Sequence, residues 1–151
     1  MNRKLGRRGG LAALAAAGAA LPAMAQTGPV EKILYHLNMP GGEEFAYYRQ
    51  MLVNVQNHLT VLTPGRYDFR IIMHGPGINL LRFGARSDPQ IAATVDELKL
   101  AGVRFEICRI TLQRGNIPLE QLYDASEDDL VPSGVGQIAK LQHQGFAYLK
   151  I

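Results

Sequence analysis

Apolar positions along the chain recur with two periods, and their alternation predicts the elements. Ile33, Leu34, Tyr35 and Leu37 crowd the stretch Lys32 to Asn38, as in a strand covered on both faces. Met39-Pro40-Gly41-Gly42 breaks it. Between Glu43 and Leu62 the residues Phe45, Tyr48, Leu52, Val55, Leu59 and Leu62 step by three and four. That spacing predicts one long amphipathic helix, ended by Thr63-Pro64-Gly65. A second strand is predicted over Tyr67 to His74, followed by Gly75-Pro76-Gly77. Asp88-Pro89 opens a helix with Ile91, Val95 and Leu98 on one face and Gly102 at its end. Val103, Phe105 and Ile107 alternate with Arg104 and Glu106 in a strand that runs out at Cys108, with Arg109 and Arg114 in the loop beyond. A helical turn is expected at Pro118 to Leu122, a solvated loop at Glu127-Asp128-Asp129 and a short strand at Leu130-Val131-Pro132. Ser133 can N-cap a helix bearing Val135, Ile138 and Leu141, closed by Gly145, before a last strand from Phe146 to Ile151.

Strand and helix alternate throughout, which implies an α/β fold with a mainly parallel sheet and right-handed crossovers. The common strand order 2-1-3-4-5 is expected, with ligands bound outside the carboxyl ends of the strands. On that order Asn38, His74 and Cys108 lie on three neighbouring strands.

The first 25 residues read differently. Arg3, Lys4, Arg7 and Arg8 precede the alanine-rich run Leu11 to Leu21, then Pro22 and an Ala23-Met24-Ala25 cleavage site. They predict a signal peptide removed after Ala25, with Arg7-Arg8 partly resembling a twin-arginine signal. The run is too short to span a bilayer. Residues 26–151 then form a single periplasmic domain. Removing the four basic residues leaves 12 Lys+Arg against 13 Asp+Glu, a net charge of −1 instead of +3. That balance gives no support for nucleic-acid binding.

Cys108 is the only cysteine, so no internal disulfide can form. A strand end facing a helix N-terminus and the arginines Arg109 and Arg114 can lower a thiol's pKa from about 8.5 and make a nucleophile. The competing reading is an inert buried thiol. His74 is a proton carrier or a turn cap. His36, inside the first strand near its end, reads as a core histidine ahead of a base, and His58 and His143 as packing or surface residues. Gly75-x-Gly77 starts like a dinucleotide fingerprint, but Leu80 stands where the third glycine belongs. Its backbone N–H groups can still cradle a small anion. No metal-ligand spacing is present, and nothing calls for a cofactor.

The segments KILYHLN, NVQNHL, IIMHGPGINLL, AGVRFEICRITLQRGNI and VPSGVGQIAKLQHQGFAYLKI, in that order, resemble the DsrE/DsrF-like family over Glu31 to Ile151. The resemblance implies a flavodoxin-like three-layer fold with a five-stranded sheet and a homo-oligomer, trimer or hexamer. It also implies relay of sulfane sulfur as a cysteine persulfide, with a sulfur donor or acceptor protein or a small sulfur anion as partner. The family's accepting cysteine precedes an Arg-Gly, the position here of Cys108 with Arg114-Gly115. Asn38, Gly75, Gly77, Ser133 and Gly134 complete the expected binding set. The alternative is a non-enzymatic oligomeric module that uses the same strand ends. Phe45, Tyr47 and Tyr48 are candidates for the apolar surface of an assembly.

Overall fold

The computed structural model describes residues 28–151, so the expected signal peptide lies outside the described residues. Five parallel strands form one sheet: β1 (Glu31–Leu37), β2 (Tyr67–Met73), β3 (Arg104–Cys108), β4 (Leu130–Val131) and β5 (Ala147–Lys150). Their spatial order is β4-β3-β2-β1-β5. The fold is α/β and flavodoxin-like, but the order differs from the expected 2-1-3-4-5. The chain steps β1, β2, β3, β4 in one direction before β5 returns to the free side of β1. Right-handed crossovers therefore send the first three connections over one face and only the last over the other.

Period two explains the two cores. Ile33, Tyr35 and Leu37 of β1, Phe69, Ile71 and Met73 of β2, and Phe105 and Ile107 of β3 point to one face. They pack there on Tyr48, Met51, Leu52 and Val55 of helix α1 (Ala46–Leu59) and on Ile91, Val95 and Leu98 of a helix at Pro89–Leu100. Leu34 and Ile72 point the other way, onto Ile138, Leu141 and Phe146. A single helix, Gly134–His143, covers that second face, so it also carries polar side chains. Arg70 bonds Asp68 at 2.7 and 2.8 Å and Glu106 at 2.9 Å, and Gln137 reaches Glu106 at 2.8 Å. Glu106 is buried and paired with Arg70, the condition under which burying a carboxylate is tolerated.

Three local readings change. The long helix begins only at Ala46, because Glu44 and Phe45 take left-handed backbone angles and the 3-10 turn Glu43–Phe45 stands apart. Residues 75–87 are helical: a 3-10 turn Gly75–Ile78, a π turn Leu80–Gly84 and the short α2 (Ala85–Ser87) lead to α3 (Pro89–Leu100), which Asp88 caps. The stretch after Cys108 is not a loop but helix α4 (Arg109–Arg114), followed much later by α5 (Gly134–His143). Tyr48 is fully buried, its hydroxyl donating to the Pro76 carbonyl at 2.8 Å, so it offers no surface for assembly. No helix among the described residues is long and apolar enough to cross a membrane.

Candidate functional site

The connection after β3 runs over one face and the connection after β4 over the other. The carboxyl ends of these two adjacent strands therefore diverge, and a cleft opens between them. It has a volume of about 510 Å³ and is lined by His74, Gly75, Cys108, Ile110, Thr111, Arg114, Ser133 and Val135. Most of the expected site residues meet here although the strand order differs, because β2, which leads into His74, lies directly beside β3, which ends at Cys108.

Cys108 ends β3 and is 5 % exposed, opening onto the cleft. Burial pushes its thiol pKa up. The Thr111 hydroxyl and the N–H groups of Gly134, Thr111 and Ile110 act against burial, and the net shift is downward. Cys108 sits at the N-cap of α4 without making a capping hydrogen bond. The surrounding donors favour the thiolate, because a hydrogen bond to the charged sulfur is stronger than one to the neutral thiol. Thr111 is held for this role: its oxygen accepts from Gly75 N–H at 3.0 Å, leaving its own O–H to turn toward sulfur.

Gly134 makes the approach of α5 feasible. A Cβ there would lie 3.0 Å from the His74 Cβ and 3.2 Å from the Cys108 Cβ. Only a residue without a side chain lets the first N–H of α5 reach the sulfur between these two strand ends. Ser133 caps α5, accepting from Gly136 N–H at 3.3 Å. Gly77 packs its backbone against the Leu37 carbonyl, where a Cβ has no room, and so closes the turn after β2.

The two arginines part company. Arg114 lines the cleft, with no ion pair among the described residues. Arg109 donates to Glu127 at 2.8 Å and lines a neighbouring surface hollow instead. The lowered thiol pKa is accounted for by the donors of Thr111, Gly134 and Ile110. Asn38, past the end of β1, accepts a hydrogen bond from Lys150 and does not line the cleft.

His36 is not a plain core residue. Its Nε2 lies 2.6 Å from Nε2 of His74, and its Nδ1 lies 2.6 Å from the Tyr148 hydroxyl. The two imidazoles meet head to head, since centroids 4.8 Å apart span the N–N contact plus one ring radius on each side. Burial, the adjacent His74 and Lys150 push His36 down to about 4. Burial and Lys150 also lower His74, so both rings are neutral at pH 7. Sequence reasoning missed Thr111 and Tyr148, and ranked His36 as core filler above a base. Period two was the available signal for the histidines, because it puts positions 36, 74 and 108 on the face that α5 covers. Among the described residues no group of three or more His, Cys, Asp or Glu could hold a metal ion.

The model of the DsrE/DsrF-like family matches residues 13–151. Among solved structures, the chain is similar to the protein of unknown function MTH1491 from Methanobacterium thermoautotrophicum. The two share 26 % identity at a TM-score of 0.65, over 80 % of this chain and 99 % of that one. No curated protein matches the chain. A family model that spans the whole sheet, the Cys108 cleft and α5 leaves one assignment: this chain belongs to the DsrE/DsrF-like family.

Proposed function

We propose that the protein is an exported, periplasmic sulfur carrier, sulfurtransferase-like, that holds sulfane sulfur as a persulfide on Cys108. Membership of the family supports a sulfur-relay role in general. The observation that carries the specific reading is the set of donors aimed at Cys108, which favours its thiolate in spite of burial. That thiolate attacks the sulfane sulfur of a donor R–S–SH. The bond to Cys108 forms, the donor's S–S bond breaks, and its electron pair leaves on R–S⁻, which takes up a proton. An acceptor thiolate later attacks the outer sulfur and frees Cys108, with no net oxidation. Arg114, in the cleft, meets the negative charge of the donor or its leaving group. His74 exchanges protons at the same wall. Assembly as a trimer or hexamer belongs to this reading, as the family resemblance implies.

Incubation with polysulfide followed by intact mass tests it. A gain of about 32 Da per added sulfur on the wild type, absent in Cys108→Ser, is expected. An unchanged wild-type mass favours the second reading, a non-enzymatic module binding an anion or partner chain. The observation behind that reading is that the exposed apolar residues Ile110 (41 %) and Val135 (62 %) line the cleft together with Arg114.

A further inference from the structure

His36 and Tyr148 take no part in the sulfur chemistry above, yet hydrogen bonds tie them to it. Tyr148 OH, His36 and His74 are joined in series by two contacts of 2.6 Å. They come from β5, from β1 and from the residue that follows β2, three strands adjacent in the sheet. Leu34 of β1 pairs with Tyr148 and His36 with Lys150, so His36 and Tyr148 are diagonal neighbours on one face. One end of the series, Tyr148, is 40 % exposed. The other end, His74, lines the cleft with Cys108, and both pack against Gly134.

We propose that Tyr148, His36 and His74 form a proton relay between bulk water and the Cys108 cleft, with His36 and Tyr148 as positioning residues that set which nitrogen of His74 carries the proton. What the proton serves rests on the sulfur-carrier reading.

A neutral imidazole has one N–H and one lone pair, so hydrogen bonds through two such rings can run in only two directions. In the first, His74 Nε2–H donates to His36 Nε2, His36 Nδ1–H donates to the Tyr148 oxygen, and Tyr148 donates to water. His74 Nδ1 is then a base. In the second, Tyr148 donates to His36 Nδ1, His36 Nε2–H donates to His74 Nε2, and His74 Nδ1–H is an acid. Both directions keep both bonds. Switching from the first to the second takes a proton up at His74 Nδ1 and delivers one to water at Tyr148. No imidazolium accumulates, which matters because burial and Lys150 disfavour the charged form of both rings. During loading the Cys108 thiol proton reaches His74 Nδ1 by way of water in the cleft that both residues line. The Nε2 proton of His74 passes to His36, the Nδ1 proton of His36 to Tyr148, and the Tyr148 hydroxyl proton to water. The donor's S–S bond breaks onto R–S⁻, which water protonates, so no oxidant or reductant is consumed.

Tyr148→Phe in the full protein separates this relay from the carrier reading, since it deletes one exposed hydroxyl. Imidazole ¹⁵N NMR reads the tautomers directly. The expected result is a changed Nδ1/Nε2 balance at His74, which bonds His36 and not Tyr148. The rate of sulfur loading from polysulfide should fall by about tenfold or more in Tyr148→Phe and in His36→Gln, a modest share of what general acid–base groups contribute. The final extent should be unchanged, and added imidazole should restore the rate. An unaltered His74 tautomer in Tyr148→Phe, or unslowed loading in both variants, overturns the relay. If the wild type never gains sulfur, the carrier reading falls by itself and the NMR result alone decides the relay.

Discussion

Thr111→Val is the sharpest perturbation of the thiol, because it removes one O–H and changes the shape of the side chain little. Thr111 is the strongest of the groups that lower the Cys108 pKa, ahead of the three backbone donors. A hydrogen bond to a charged group contributes about 1.5–3 kcal/mol. The three N–H donors remain, so the lower end applies: about 1.5 kcal/mol, or roughly a tenfold smaller thiolate population at a pH below the midpoint. The remaining thiolate is more basic and therefore more nucleophilic, with a Brønsted slope of about 0.4–0.5. The observed alkylation rate at neutral pH should then fall only about three- to fourfold, while the plateau rate at high pH rises. The Gly75 N–H also loses its acceptor, which costs about 1 kcal/mol of stability because this residue is only half-buried. The assay is the pH–rate profile of iodoacetamide alkylation, with Thr111→Ser as the control that keeps the hydroxyl. A midpoint in Thr111→Val that coincides with wild type and Thr111→Ser would refute the argument. It would mean that backbone dipoles alone set the thiol.

Gly134→Ala should weaken the Gly134 N–H approach to sulfur, since its Cβ meets two strand-end Cβ atoms that cannot rotate away. A net loss of about 1–2 kcal/mol in urea unfolding and a raised alkylation midpoint are expected, overpacking exceeding the helix-propensity gain. Gly77→Ala should cost more, on the order of 3 kcal/mol or above, because its Cβ would overlap the Leu37 carbonyl; a stable, soluble variant by circular dichroism would contradict this. His36 and His74 titrate below their unfolded value of about 6.5, so the unfolded chain binds more protons between that pH and the folded pKa, about 4 for His36. Stability should therefore drop as pH falls through that window, and urea midpoints for His36→Gln should show a shallower drop than wild type. Replacing Arg109 by Gln should leave the alkylation midpoint unmoved, since this guanidinium faces Glu127; a clear upward shift in the same pH–rate profile would show that it reaches the thiol.

Much of the architecture was legible because burial writes a period into the chain. A nearly continuous apolar run marked β1, three-and-four spacing marked α1, and Asp88-Pro89 and Ser133 marked two helix starts. The start of α1 was not legible, because left-handed angles at Glu44 and Phe45 are imposed by the chain packing around them, and neither residue type announces them. The helical run over residues 75–87 was hidden by Gly75-Pro76-Gly77, which reads as a turn. Helix α4 was hidden by its brevity, since six residues carry too few apolar positions to display a period.

The chain by itself determined a single cysteine at a strand end, the α/β class, and a set of glycines, serine and histidine at the carboxyl ends of strands. Those follow from local chemistry and from periods of 2 and 3.6, which one segment can display alone. Tertiary structure decided the rest. The order of the central parallel strands leaves no mark on any one of them, since β1, β2 and β3 bury residues on both faces whichever neighbours they have. That order put the divergence of connections at β3 and β4, drew Gly134 against Cys108, and left Arg109 facing Glu127. It also set His36 beside His74, residues separated by 38 positions in the chain. Whether an imidazole is a core filler or one link in a hydrogen-bonded series depends on what lies across the sheet, and strand pairing alone settles that.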